Sequence, residues 1–209
     1  MDRRGEVGHT QARAVIESAE HGDRAFDVYS RLLRERVVFL GRALDDEVAN
    51  LLIAQLLHLE AEDDSSGVSL YVNSPGGSST AMFAVLDTME CIAPDVATYC
   101  VGQAASAAAV ILACGAAGKR FALPNARVLL HQPHGGIEGQ SADLEIHARE
   151  ILRQRRRVEE LLAERTGQPV DRIAADTDRD FILTAERAKE YGVVDHIVDR
   201  RRLRALRGR

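Results

Sequence analysis

The sequence predicts an α/β fold in which parallel strands are joined through helices by right-handed crossovers. Three observations carry that prediction. Short runs rich in valine and leucine recur at 36–41, 68–73, 96–101 and 127–130, and each stops at a glycine, a proline or a polar turn. Segments with apolar residues at helical spacing lie between them. The 209 residues are 45% hydrophobic but only 4% aromatic, so a sizeable core is built from Ala, Leu, Val and Ile.

Composition excludes several classes. A net charge of -5 argues against a general nucleic-acid binder. The longest apolar candidate, Ala104 to Ala117, is too short to span a bilayer and runs into Gly118-Lys119-Arg120. Met1-Asp2-Arg3-Arg4-Gly5-Glu6 is followed by no apolar region, so it is not read as a secretory signal. Cys91, Cys100 and Cys114 are odd in number and sit in apolar surroundings, which predicts buried free thiols in a reducing compartment.

Residues 1–24 are polar, with Ala14-Val15-Ile16 as the only anchor, and read as an arm that a partner would order. Ala25 to Leu33 reads as the first amphipathic helix, and Arg36 to Gly41 as a strand. Asp45-Asp46 opens a helix by capping it, with Val48, Leu51, Leu52, Gln55, Leu56 and Leu59 on one face. Val68 to Asn73 is a strand whose core face is Val68, Leu70 and Val72. It runs into Ser74-Pro75-Gly76-Gly77, and the next helix buries Ala81, Val85, Leu86 and Met89. Two glycines after a proline let backbone approach something closely. The missing Gly-Lys-Ser/Thr ending argues against a phosphate loop, and an amide-lined hole or a substrate-pairing edge fits better.

Val96 to Val101 is a strand, and a helix apolar almost all round starts at Ala104 and ends through Gly115 to Arg120. Ser106 falls in the first helical turn, where free N–H groups and the positive dipole end favour negative charge. A nucleophilic serine suits that position, although small residues also occur there for close packing. Arg127 to Leu130 is a strand delivering His131-Gln132-Pro133-His134-Gly135-Gly136 at its carboxyl end. In α/β sheets reactive groups gather beyond those ends, which brings Gly76-Gly77, Ser106 and His131 to one edge. Ser141 to Arg165 is one long helix with Leu144, Ile151, Val158, Leu161 and Leu162 as its stripe. Its arginines 153 and 155–157 interleave with glutamates, a solvated or interface face laced by ion pairs. A short helix to Ala175, an acidic loop at 176–181, a helix from Thr184 to Tyr191 and a strand at His196 to Val198 complete the pattern.

A hydrolytic serine needs a base and an orienting acid. Of seven histidines, only His131 and His134 stand on a loop at the reactive edge. They are half a metal site at best, with no third ligand at suitable spacing, so no metal is expected. Asp176, Asp178 and Asp180 are three candidate acids in one loop, and spacing alone does not choose among them.

From about Arg24 to Val198 the chain resembles the proteolytic subunits of the Clp (caseinolytic) ATP-dependent proteases, the ClpP family. The resemblance rests on Phe26-Asp27-Val28-Tyr29-Ser30-Arg31-Leu32-Leu33, Asn73-Ser74-Pro75-Gly76-Gly77, Asp87-Thr88-Met89, Gly102-Gln103-Ala104-Ala105-Ser106 and Gly118-Lys119-Arg120. It continues in His131-Gln132-Pro133, His147 to Leu152, Asp176-Thr177-Asp178-Arg179-Asp180 and Glu190-Tyr191-Gly192. The resemblance implies Ser106 as nucleophile, His131 as base and Asp180 as acid. It agrees with an oxyanion hole from the backbone N–H groups of Gly77 and Ala107. Substrate would lie extended between Gly76, Ser78 and Ser79 on one side and Pro133, His134 and Gly135 on the other, adding a strand by main-chain bonds.

The fold implied is a ClpP/crotonase-like repeated β-β-α spiral superhelix with a protruding helical handle at about 141–166. The protease domain would span 25–199, followed by a basic tail at 200–209. The resemblance further implies two stacked seven-membered rings, a tetradecamer in the cytoplasm, fed by a hexameric AAA+ Clp unfoldase. That partner uses the ATP, and this subunit needs no cofactor. The substrates would be unfolded proteins, with no nucleic acid and no membrane involved. Departures from the family pattern are Ala107, Ser78-Ser79 and His134 in the binding lane, and Ser69 and Cys91 in the docking pocket. They point to a specialised paralogue that pairs with a second ring of another subunit. Two further readings stay open: a mainly structural or regulatory ring subunit, and a crotonase-like acyl-CoA enzyme, which would need carboxylates at the amide hole. A Ser-Lys signal-peptide peptidase of the same fold lacks its lysine and its anchor here.

Overall fold

The computed structural model of the chain describes residues 14–19, 22–132 and 141–198. Strands β1 (Ala14–Ala19) and β2 (Gly22–Asp27) pair antiparallel as a hairpin. Of the expected arm, residues 14–19 and 22–24 therefore belong to that hairpin; the rest of it and the tail at 200–209 lie outside the described residues. Helix α1 (Val28–Arg34) starts three residues later than expected. Ala25 and Phe26 are spent on pairing in β2, and the Asp27 carboxylate caps the helix by accepting from the N–H groups of Tyr29 at 2.9 Å and Ser30 at 3.1 Å.

Strands β3 (Val37–Leu40), β4 (Val68–Ser74) and β5 (Val96–Ala105) are linked by helices α2 (Asp46–Glu62) and α3 (Ser79–Cys91). After β5 come α4 (Ala107–Ala113), β6 (Arg120–Ala122), β7 (Arg127–Leu130), α5 (Ser141–Thr166), α6 (Val170–Asp176), β8 (Phe181–Thr184), α7 (Ala185–Tyr191) and β9 (His196–Ile197). One mixed seven-stranded sheet results. Its order is β3-β4-β5-β6-β9, all parallel, with β7 on the distal half of β5 and β8 antiparallel on β7.

This corrects the expected repeated β-β-α spiral superhelix. From β3 to β5 each crossover contributes one strand and one helix to the same sheet, not two strands to successive turns of a spiral. The length of β5 makes this possible. Thr98 to Cys100 pair with β6, while Gln103 to Ala105 pair with β7, so two short strands share one edge end to end.

The core sits between the sheet and helices α2, α3 and α4. Alternation in β4 buries Val68, Leu70 and Val72, as expected from their period of two. In α2 the buried positions are Val48, Ala49, Leu52, Leu56 and Leu59, and the Asp45 carboxylate caps the helix through the Val48 N–H at 2.8 Å. Leu51, expected on that face, is instead 59% exposed. Helix α4 is buried at every position from Ala107 to Ala113. Helix α5 buries Val158, Leu161 and Leu162 but leaves Leu144, Ile146 and Leu152 exposed, so its apolar stripe is covered only over its second half. Cys100 and Cys114 are buried free thiols, whereas Cys91, at the end of α3, is exposed. The opposite sheet face carries one rank of rings in register: Phe39, Tyr71, Tyr99, Phe121 and His196 lie on adjacent strands, with successive centroids 5.2, 4.7, 4.7 and 5.5 Å apart.

Candidate active site

Three parallel strands deliver the site. The chain leaves β4 at Pro75-Gly76-Gly77, β5 at Ser106 and β7 at His131, so the three segments meet at one sheet edge. Ser106 is the N-cap of α4 and not a residue inside its first turn, because β5 continues through Ala104 and Ala105 to pair with Ser74 and with β7. Its backbone is at φ 55 and ψ -125, a conformation rarely taken by a residue with a side chain. The turn is held by the Ser106 N–H donating to Leu129 O at 2.8 Å and by Ser106 O accepting from Ala109 N at 2.9 Å. A sharp strand-to-helix turn of this kind lifts a serine hydroxyl out of the sheet.

The turn before α3 is built to lie against that elbow. The Ser74 hydroxyl, fully buried, accepts from the Gly76 N–H at 3.1 Å. Leu44 N donates to Gly76 O and Ser78 N donates to Leu44 O, both at 2.8 Å, which leaves the intervening Gly77 N–H facing the other way. Gly76 has φ +89, and a Cβ there would sit 2.4 Å from Ala105 O and 2.8 Å from the Ser106 Cβ. Only glycine allows this approach. Among the described residues no acceptor meets the N–H of Gly77 or of Ala107.

Of the three candidate acids, Asp180 is the one brought to His131, by β8, a strand absent from the expected pattern. It pairs antiparallel with β7 so that Leu130 faces Phe181, and the next rung beyond the sheet sets His131 beside Asp180. His131 Nδ1 and Asp180 Oδ1 are 3.1 Å apart. A carboxylate only accepts, so the contact is made by an Nδ1–H, and in the neutral imidazole that tautomer makes Nε2 the acceptor. The other two acids are otherwise engaged. Asp176 accepts from the Tyr191 hydroxyl at 2.8 Å and pairs with Arg172 at 3.4 Å; burial first, and then that hydrogen bond, pushes the tyrosine pKa up. The Asp178 carboxylate stands 3.8 Å from Arg179, a residue otherwise in solvent.

Ser106, His131 and Asp180 line one open cavity of about 740 Å³. Met82, Val110 and Val158 form its apolar walls, the last reaching in from α5. Ser78 and Ser79 also line it, though both hydroxyls have partners. The Ser78 hydroxyl caps α3 by accepting from Ala81 N at 3.2 Å, and the Ser79 hydroxyl donates to Gln154 Oε1 at 2.7 Å. Gln154 in turn donates to Glu150, whose carboxyl pKa is lowered to about 2 by its hydrogen bonds from Arg153 and Gln154. Pro133, His134 and Gly135 lie outside the described residues.

The apolar walls and the strain at the elbow carry no mark in the residue pattern that points to them. A partial signal for the elbow existed in Gly76, whose neighbour across the cleft is the Ser106 turn. No group of three or more His, Cys, Asp or Glu side chains arranged for a metal occurs among the described residues, and no described helix is long and apolar enough to cross a membrane. In comparison with known proteins, a family model described as Clp protease matches residues 20–201.

Proposed function

The chain belongs to the Clp protease family, and on that premise we propose that it is a serine endopeptidase subunit acting on extended, unfolded polypeptide. One observation carries the reading: the His131 Nδ1–Asp180 Oδ1 contact at 3.1 Å, in the cavity that Ser106 lines.

In the proposed reaction the Ser106 Oγ attacks the carbonyl carbon of the scissile peptide while its proton moves to His131 Nε2. The electron pair of the C=O bond moves onto oxygen, which lies against the N–H groups of Gly77 and Ala107. Collapse breaks the C–N bond, and His131 returns the proton to the leaving amine. Water then enters, gives a proton to His131 and cleaves the Ser106 ester, restoring the hydroxyl. Asp180 keeps the imidazole in the tautomer that both half-reactions need. Substrate lies as an added strand along Gly76, Ser78 and Ser79. The walls of Met82, Val110 and Val158 favour an apolar side chain before the cut.

Family membership supports a place in an assembly of stacked rings that receives unfolded chains from an AAA+ unfoldase, with ATP consumed by that partner. Mixed rings with a second paralogue belong to the same proposal. A fluorophosphonate probe should label Ser106, and Ser106→Ala should abolish both labelling and hydrolysis of a fluorogenic peptide. Absence of labelling in every assembly state, alone or mixed with paralogous subunits, would overturn the enzymatic reading in favour of a structural ring subunit.

A further inference from the structure

We propose that Gln132 and Arg155 are positioning residues for the His131–Asp180 pair, and that buried Glu159 anchors Arg155 for that task. The inference rests on the proteolytic reading above and extends it to three residues with no contact to substrate.

Asp180 is poorly secured by its own side chain. The side chain is 64% exposed, and His131 is its one partner among the described residues. Solvent competes strongly for an exposed carboxylate, so its placement depends on the loop that carries it. Arg179 does not supply that hold: it is 91% exposed and reaches Asp178 instead.

Gln132 does. Its N–H donates to Thr177 O at 2.9 Å, and its Nε2 donates to Asp178 O at 3.0 Å. Two carbonyls just ahead of Asp180 are thus gripped by the residue next to His131. The orientation of the amide is fixed from the other side, where Arg155 Nη1 donates to Gln132 Oε1 at 2.8 Å. A guanidinium has donors only, so the amide oxygen must face it and the NH₂ must face the loop. The side-chain amide offers an acceptor to the arginine and a donor to the carbonyl together.

Arg155 is itself held. Its Nε donates to Glu159 Oε1 at 2.8 Å, one turn along α5. Glu159 is 7% exposed beside Val158, Leu161 and Leu162, and Arg156 lies 4.0 Å from its second oxygen. A buried carboxylate is costly unless paired. The pair sets the guanidinium in place, and an Nη1 N–H is directed at Gln132. Of the other pairs on this helix, Arg149–Glu145 and Arg156–Glu160 are exposed, and the exposed Arg153–Glu150 pair holds Gln154 against the Ser79 hydroxyl and not against the His131–Asp180 loop.

Two variants test this in the full-length assembled protein. Gln132→Glu keeps an acceptor for Arg155 but presents oxygen to Asp178 O. Arg155→Met combined with Glu159→Gln removes the guanidinium without stranding a charge. In each, kcat for a fluorogenic peptide should fall about 10- to 100-fold with KM little changed, the loss typical of a misplaced catalytic group. In an Asp180→Asn background the same substitutions should cost less than about twofold, since they act through that carboxylate. Hydrogen exchange at residues 177–181 should quicken by at least about tenfold in Gln132→Glu, a readout independent of turnover. An unchanged kcat, equal losses in both backgrounds, an effect on KM alone, or unaltered exchange in the loop would overturn the proposal. A loss of kcat that tracks a fall in native mass would overturn it too, by assigning the network to assembly. If Arg155→Met/Glu159→Gln does not fold, Gln132→Glu decides alone. Should wild type itself leave Ser106 unlabelled, the proteolytic reading fails, and loop exchange still decides this one.

Discussion

Gly76→Ala is the substitution that strains the cleft most directly. At φ +89 an alanine carries about 1–2 kcal/mol of backbone cost even in open space. Here the space is not open, because the new Cβ would lie 2.4 Å from Ala105 O and 2.8 Å from the Ser106 Cβ. Neither atom belongs to a flexible side-chain end, so the loop must back away from the elbow. The Gly77 N–H moves with it. Losing one oxyanion donor costs about 2.7–4 kcal/mol of barrier, or about 10²–10³ in kcat. Gly118→Ala is the matched control: φ is +76 and nothing lies within 4 Å, so it carries the backbone cost alone. Fluorogenic peptide hydrolysis and urea unfolding should separate the two variants. Both lose about 1–2 kcal/mol of stability or somewhat more, but only Gly76→Ala loses turnover. A Gly76→Ala enzyme with wild-type kcat, or a Gly118→Ala enzyme that loses it, would refute the link between this close approach and oxyanion support.

The acidic loop and the buried thiols give two further tests. Asp180→Asn should lower kcat about 10³–10⁴-fold, as expected for a wrong imidazole tautomer, with KM far less affected. Asp176→Asn should keep most of its turnover and lose about 1 kcal/mol of stability through the Tyr191 hydroxyl bond, read by thermal melting. Burial pushes the Cys100 thiol up to about 12 and the Cys114 thiol up to about 11. An unfolded chain releases those protons near pH 8.5, earlier than the folded one, so these groups leave stability unchanged below about pH 8 and reduce it as pH rises further. The expected slope approaches about 1.4 kcal/mol per pH unit per thiol from about pH 9 to 11. Melting curves across that range for wild type and for Cys100→Ala/Cys114→Ala check it; parallel declines in the two proteins would reject the assignment.

Much of the α/β frame was legible because it is written in local periodicity. The alternation of Val68, Leu70 and Val72 and the caps Asp45 and Thr184 need no distant partner to be recognised. The missed strands β6 and β8 are of another kind. Arg120-Phe121-Ala122 looks like the basic end of a helix, yet Arg120 is buried because Asp195 and the carbonyls of Ala113 and Arg165 satisfy its guanidinium. Phe181 to Thr184 became a strand by pairing with β7, with Ile182 left exposed. Both are decided by long-range contacts. The start of α4 failed for the same reason: Ala104 and Ala105 have little strand preference, and their neighbours Ser74 and β7 impose it. At the candidate site, residue types pointed to the serine and histidine segments that the structure brings to one cavity. The choice of Asp180 among three acids required either family resemblance or the register of β7 on β8. The Glu159 link was hidden because a glutamate among arginines looks solvated; its only sign was the apolar company of Val158, Leu161 and Leu162.

The rank of rings across the outer sheet face has an optical consequence. The chain contains no tryptophan and four tyrosines, so its ultraviolet absorption and intrinsic fluorescence come mainly from Tyr29, Tyr71, Tyr99 and Tyr191. Three of these stand in one file: Tyr29 lies edge-on to Phe39 at 6.0 Å, and Tyr71 and Tyr99 are stacked at 4.7 Å. Chromophores that close share their excited states, and their circular dichroism near 280 nm becomes a signature of strand alignment. Light therefore watches mainly the scaffold. A cleft substitution that silences hydrolysis yet leaves this band intact has damaged chemistry without disturbing the frame that carries it.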